Sequence, residues 1–201
     1  MRATSIFMLL SAGTLLAADQ MTISVCNLGE LPKSAVASAK AEVSAVFQAA
    51  KVEITWKSCD ELPGNGPSPL RWFVLRLRSD KPLLTSVTST SLDVMGRAFV
   101  AEALDCGMAD AYFLAIQDFA RKHKADAGTL LGYVIVHELG HLLLGPGHVA
   151  EGVMQTGWNE TELNALRQRW LRFTKTQEAR IHHALQTNAG ASESTVDSAE
   201  K

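Results

Sequence analysis

Residues 137–148 read HELGHLLLGPGH and close a strongly apolar run that begins at Thr129. An apolar run of this length predicts a buried helix over residues 129–144, which Gly145 and Pro146 bring to an end. Its polar exceptions are His137, Glu138 and His141. Side chains four residues apart lie on the same face of a helix, so both histidines can reach one ion.

This pattern indicates a metal site. Two imidazoles and a carboxylate are costly to bury without partners. Histidines that are simply hydrogen-bonded within the core are the alternative interpretation. Zinc binds neutral imidazole nitrogens at about 2.0–2.1 Å, and a catalytic zinc site has three protein ligands and one open position for water. Zinc lowers the pKa of that water to about 7, and Glu138 is placed to take its proton and pass it to a leaving amine.

With Gly145, His148 and Met154 further along, the segment resembles the metzincin clan of zinc metallopeptidases. The motif of that clan is H-E-x-x-H-x-x-G-x-x-H followed by a methionine-containing turn. The resemblance implies a Zn²⁺ cofactor, a catalytic Glu138, and the metal ligands His137, His141 and His148. It also implies a peptide or protein substrate that lies extended along an edge strand, for which residues 97–101 are the candidate.

One departure from the motif concerns the third ligand. Leu144 stands where the motif has glycine, so the interval from His141 to Gly145 is one residue longer. An added helical residue turns the chain by about 100° and advances it by about 1.5 Å. Gly145 and Gly147 can adopt backbone angles that are closed to other residues, which allows His148 to return to the metal.

Other acidic residues offer alternative third ligands. In the gluzincin pattern a glutamate on a later helix completes the site, and Glu160 has that position, with Glu162 close by. Both also suit the first turn of a helix, where acidic side chains are favoured by the helix dipole. Glu151 is a further alternative without a pattern behind it.

The remaining patterns predict a domain of the α+β or α/β class. Strands are predicted at residues 21–27, 52–57, 72–77, 97–101 and 111–116, and helices at 34–50, 117–124, 129–144, 160–172 and 175–185. The initial strand, helix and strand suggest a parallel pair with a crossover helix. We therefore expect a zincin-like domain that has a mixed twisted sheet, an N-terminal crossover helix, an active-site helix and C-terminal helices.

The N-terminus indicates export. Arg2, an apolar run over residues 6–16, and Ala17-Ala18 form the layout of a secretory signal peptide. The run is shorter than the roughly 20 residues that span a bilayer. We expect a signal peptide at residues 1–18, a catalytic domain at 19–187, a disordered Ser/Ala/Thr/Glu-rich tail at 188–201 and a secreted or periplasmic protein.

Export places the cysteines in an oxidising compartment, where a disulfide persists. Cys26, Cys59 and Cys106 are odd in number, so at most one internal bridge forms. Cys26 and Cys59 would both lie at the C-terminal ends of neighbouring strands, which suits a bridge between them and leaves Cys106 free. Other pairings remain open.

Composition limits the classes of partner. Apolar residues make up 47% and charged residues 20%, which suits a single globular domain. The net charge of −2 and the scattered basic residues argue against a nucleic acid or an anionic membrane as partner. We expect a monomer with no stable membrane insertion after signal cleavage.

The predicted function is that of a secreted zinc-dependent metallopeptidase, in particular a metalloendopeptidase. A non-catalytic zinc-containing binding protein is one alternative. Glu138 argues against it, because a structural zinc site has four protein ligands and needs no base. A zinc hydrolase acting on another amide or an ester is the second alternative.

Overall fold

The computed structural model describes residues 18–61, 71–80, 94–99 and 106–193. Their elements in chain order are β1 (Asp19–Asn27), α1 (Lys33–Ala49), β2 (Val52–Ser58), β3 (Arg71–Arg78), β4 (Gly96–Phe99), β5 (Cys106–Tyr112), α2 (Phe113–His123), α3 (Ala127–Leu144), α4 (Glu160–Arg167) and α5 (Lys175–Glu193). The signal peptide predicted at residues 1–18, except its last residue, and residues 100–101 of the strand predicted at 97–101 lie outside these ranges.

The five strands form one mixed twisted sheet in the order β2-β1-β3-β5-β4. The first four of these strands run parallel to one another, and β4 pairs antiparallel with β5 at the edge. Helix α1 connects the parallel neighbours β1 and β2, as expected of a crossover helix. The predicted mixed α/β fold is therefore confirmed.

One face of the sheet carries the hydrophobic core. Met21 and Ile23 of β1 belong to the same buried cluster as Phe47 of α1 and Leu131 of α3. Helices α1 and α3 approach closely at Gly132, where an added Cβ would lie 3.0 Å from the carbonyl oxygen of Ala39. This contact fixes α3 deep in the domain.

Helix α3 has defined ends. The Asp126 side chain accepts a hydrogen bond from the N–H of Thr129 at 2.7 Å and so caps its first turn. Gly145, with φ of 84°, ends it. Among the described residues α3 is the one helix long and apolar enough to cross a membrane, with a mean hydropathy of 1.4, yet 67% of it is buried inside the protein. It is the core helix of this domain.

Two predicted element boundaries are wrong. The strand predicted at 111–116 is instead the end of β5, and α2 begins at Phe113. Aromatic and β-branched residues favour a strand locally, but Phe113, Ile116 and Ala120 are buried together on one helical face. Helix α4 ends at Arg167 rather than at 172, and Arg169 takes a left-handed conformation with φ of 58°.

The C-terminal helix is longer than predicted. Its backbone continues beyond residue 187 to Glu193, into the segment predicted as a disordered tail. Residues 194–201 lie outside the described ranges. The assignment of residues 19–187 as the catalytic domain stays a prediction.

A disulfide joins Cys26 and Cys59, whose Cα atoms are 4.6 Å apart. Cys26 lies at the end of β1, and Cys59 directly follows β2, its parallel neighbour. Parallel strands bring their C-terminal ends to the same edge, which explains the pairing. The side chain of Cys106 is not among those described. A disulfide is consistent with an oxidising compartment outside the cytoplasm.

Candidate metal centre

Helix α3 provides the first two histidines of the site. His137 and His141 are one turn apart and face the same cavity. Residues Leu139 and Leu143 of the same helix are buried in the core. The apolar residues therefore fix the rotation of the helix, and that rotation directs both imidazoles away from the core.

Three imidazole nitrogens converge at one point. The Nε2 atoms of His137 and His141 are 3.1 Å apart, and the Nε2 atom of His148 is 3.2 Å from each. A tetrahedral ion bound to nitrogens at about 2.0–2.1 Å separates any two of them by about 3.3 Å. The triangle matches that separation closely, so these three residues fit a zinc ion. They are the one group of three such ligands among the described residues.

The second ring nitrogen of each helical histidine contacts a backbone carbonyl. Nδ1 of His137 is 2.8 Å from the oxygen of Val153, and Nδ1 of His141 is 3.3 Å from the oxygen of Gly145. A carbonyl only accepts hydrogen bonds, so each Nδ1 carries the proton and each Nε2 presents a lone pair. This is the tautomer that a metal ligand requires.

The electrostatics favour neutral histidines. Burial lowers the pKa of His137 to about 4, and burial also lowers the pKa of the His141 imidazole. Both rings are therefore uncharged at neutral pH. Uncharged imidazole is the form that binds zinc, so no proton has to be displaced from these two rings.

The turn after α3 returns His148 to the site. Gly145 has φ of 84° and Gly147 has φ of 117°, which are angles that side-chain-bearing residues rarely adopt. These two glycines absorb the extra residue Leu144, because they let the chain reverse immediately after the helix. His148 itself is solvent-exposed, in contrast to the two helical histidines.

Met154 packs against helix α3 and belongs to a tight turn. The N–H of Val149 donates to the carbonyl of Met154 at 3.2 Å, and Val149 also bridges to Gln155. A Cβ added to Gly140 would lie 2.3 Å from the sulfur of Met154. The methionine therefore packs directly on the backbone of α3 at Gly140, which lies between His137 and His141.

Replacing Gly140 by alanine should destabilise the protein, although alanine is the better helix former. Relief of the glycine penalty is worth about 0.5–1 kcal/mol, whereas overpacking costs about 1–3 kcal/mol. We expect a net loss of about 1–2 kcal/mol in the free energy of unfolding, measured by urea denaturation. In a Met154→Ala background the contact is gone, so Gly140→Ala should become neutral or stabilising. An equal loss in both backgrounds would contradict the proposed contact.

Glu138 is buried in the wall of the same cavity, with 7% of its surface exposed. Burial raises the pKa of Glu138 to about 8, against the effects of a hydrogen bond from the Ala98 N–H and of the nearby charge of Arg97. A divalent cation at the histidines would favour the ionised carboxylate and so lower this pKa. The group is thus suited to accept and release a proton.

The cavity around these groups has a volume of about 710 Å³. Its apolar wall includes Met95, Phe119, Val134 and Trp158, and polar groups are provided by residues such as Thr156 and Asn159. The Trp158 ring stands edge-on to His137, with centroids 6.3 Å apart. The cavity can hold several residues of a ligand beside the histidines.

The alternative third ligands lie elsewhere. Glu160 is exposed and pairs with His123 at 3.3 Å and with Arg167 at 3.5 Å. Glu162 accepts a hydrogen bond from the N–H of Asn159 in the capping box of α4. Glu151 is exposed and does not belong to the ligand cluster. Glu160 and Glu162 both lie in the first turn of α4, as the helix-dipole interpretation expects.

Some residues that border the cavity carry no signal in the sequence. Phe119 and Gly96 border the cavity but belong to no motif. Ala98 lies in the predicted edge strand, yet nothing in the sequence signals its contact with Glu138. These contacts depend on where β4 and α2 pack relative to α3, and no local pattern determines that.

No known protein family and no curated protein matches the chain by sequence. Among solved structures, the chain is similar to metalloproteinase-II from Bacteroides fragilis, with 14% identity, coverage of 87% of this chain and 55% of that one, and a TM-score of 0.48. It is also similar to archaemetzincin from Methanopyrus kandleri, with 18% identity, coverage of 89% and 99%, and a TM-score of 0.47. The chain spans about 55% of the length of the Bacteroides protein.

Proposed function

We propose that this chain is an exported zinc-dependent metallopeptidase, in particular a metalloendopeptidase. One observation carries the proposal. Three imidazole nitrogens lie 3.1–3.2 Å from one another, and a buried glutamate lines the same cavity. A structural zinc site has four protein ligands and requires neither an adjacent base nor an open cavity, whereas a catalytic site keeps one position open for water.

Each residue has a definite role in this proposal. His137, His141 and His148 hold the metal, and the carbonyls of Val153 and Gly145 orient the two helical rings. Bound zinc would supply a Lewis acid for the substrate carbonyl and an acidified water. Glu138 accepts the proton of the attacking water and delivers it to the leaving amine.

The substrate in this proposal is an extended peptide. Strand β4 is at the edge of the sheet, next to the cavity. Its first residue, Gly96, and the preceding Met95 line the cavity. An extended chain can add to such an edge through main-chain hydrogen bonds and place side chains in the adjacent pocket. The apolar wall of the cavity would then contact those side chains.

Export completes the proposal. The disulfide supports an oxidising compartment, and residues 1–18 have the composition of a cleaved signal peptide. Cleavage there would leave a mature chain that starts with β1 at Asp19. The catalytic domain would then begin at that strand.

The test combines metal analysis with a substrate screen. We expect the purified protein to contain about one zinc per chain and to cleave members of a broad peptide library. A chelator should abolish cleavage, and added zinc should restore it. Stoichiometric zinc without cleavage of any peptide would favour the binding-protein alternative. Turnover of ester or non-peptide amide substrates alone would favour the other hydrolase.

A further inference from the structure

Strand β4 passes directly across the side chain of Glu138. A Cβ added to Gly96 would lie 2.5 Å from Oε1, 2.6 Å from Cγ and 2.8 Å from the carboxyl carbon of Glu138. Non-bonded carbon atoms in proteins optimally lie about 3.5–4.0 Å apart. The backbone of Gly96 therefore lies so close to Glu138 that a side chain at position 96 would collide with the carboxylate.

The register of β4 also leaves a hydrogen-bond donor available to the carboxylate. The N–H of Tyr112 donates to the carbonyl of Met95 at 2.9 Å, and Gly96 and Ala98 pair with Ala111 and Ala109. Hydrogen-bonded and non-hydrogen-bonded pairs alternate along an antiparallel ladder. The main-chain groups of residues 96 and 98 therefore point away from β5, and the N–H of Ala98 is left on the side from which it lowers the pKa of Glu138.

The closeness of Gly96 restricts where the Glu138 carboxylate can lie. A glutamate has three side-chain torsions, so its carboxylate has a defined place only where its neighbours limit those torsions. The backbone of Gly96 limits movement toward the strand. On its other side, Glu138 lines the cavity that also contains the three histidines.

We propose that Gly96 and Ala98 are positioning residues for Glu138, so that the edge strand itself sets the place of the catalytic base. This inference rests on the proposed function in one respect, namely the role of Glu138 as the catalytic base. The contact between β4 and Glu138 is independent of any bound metal. A side chain at position 96 would push either the carboxylate or the strand from its place.

The decisive experiment is a double-mutant cycle on the zinc-free protein. Gly96→Ala should lower the melting temperature by roughly 4–8 °C, since it inserts a methyl group into an occupied space. In a Glu138→Ala background the atoms that the methyl group meets are absent, so the same change should have little effect. Gly157→Ala is the matched control, because a Cβ there meets no atom within 4 Å.

Kinetics of the zinc-loaded protein separate positioning from general damage. Gly96→Ala should lower kcat by about tenfold or more with KM and zinc content little changed, because misplacement of a catalytic group by about 1 Å costs up to 10²-fold. An equal loss of melting temperature in both backgrounds would overturn the inference, as would no loss in either. A protein that shows the coupling but cleaves no peptide would overturn the proposed function alone.

Discussion

Replacing Glu138 by glutamine is expected to lower kcat for peptide hydrolysis by about 10²–10⁴-fold while zinc stays bound. Glutamine has the shape of glutamate, and its amide oxygen can still accept the hydrogen bond from the Ala98 N–H. It has no basic oxygen, so it cannot take a proton from water. His137 and His141 do not depend on Glu138 for their orientation, because each ring contacts a backbone carbonyl.

The measurements for this variant are single-turnover cleavage of a library-derived peptide and zinc content by atomic absorption. Glutamine resembles the protonated carboxyl group, which burial favours at this position. We therefore expect the zinc-free variant to be at least as stable as the parent protein. Cleavage at the parental rate by a fully metallated Glu138→Gln protein would remove Glu138 from the mechanism.

Replacing His148 by alanine should weaken zinc binding by more than about 100-fold. Loss of a hydrogen-bond partner behind a ligand already costs 10–100-fold, and loss of the ligand itself removes a bond to the metal. His148 is exposed on the turn after α3 and is not part of the buried core. The fold should therefore survive, and the deficit should be confined to the metal.

The matched control for this change is His183→Ala, which removes an exposed histidine from α5. Both variants should have the secondary structure of the parent by circular dichroism, and competition with a chromophoric chelator gives their zinc affinities. Undiminished affinity in His148→Ala would show that a different group completes the site. Glu160 would require release from its pairs with His123 and Arg167 to do so.

The sequence predicts helix α3 and the common direction of its two histidines well, because both follow local rules. An apolar run of this length is buried wherever it packs, and a spacing of four residues fixes the relative direction of His137 and His141. The glycines at 145 and 147 likewise predict a sharp turn, and both have a positive φ in the structure. The disulfide joins the pair of cysteines that the predicted parallel order of β1 and β2 favoured, although that order left other pairings open.

Other features depend on tertiary packing, so local sequence patterns do not predict them. Tyr112, Phe113 and Ile116 favour a strand by composition, yet burial against α3 makes the segment after Tyr112 a helix. Glu160 occupies a position that a ligand could have, and only the structure shows its pairing with His123. The closeness of Gly96 to Glu138 joins residues far apart in the chain, so no periodicity could reveal it.

The disulfide has a consequence for how the molecule resists denaturation. Cys26 and Cys59 are 33 residues apart, and the loop they close contains α1 and β2. In the chain-entropy account, closing a loop of this size restricts the denatured ensemble by about 3–4 kcal/mol. His137, His141 and His148 lie outside that loop. A thiol reductant would therefore lower the stability of the fold without reacting with the histidines. A chelator would remove a bound metal and leave the disulfide intact.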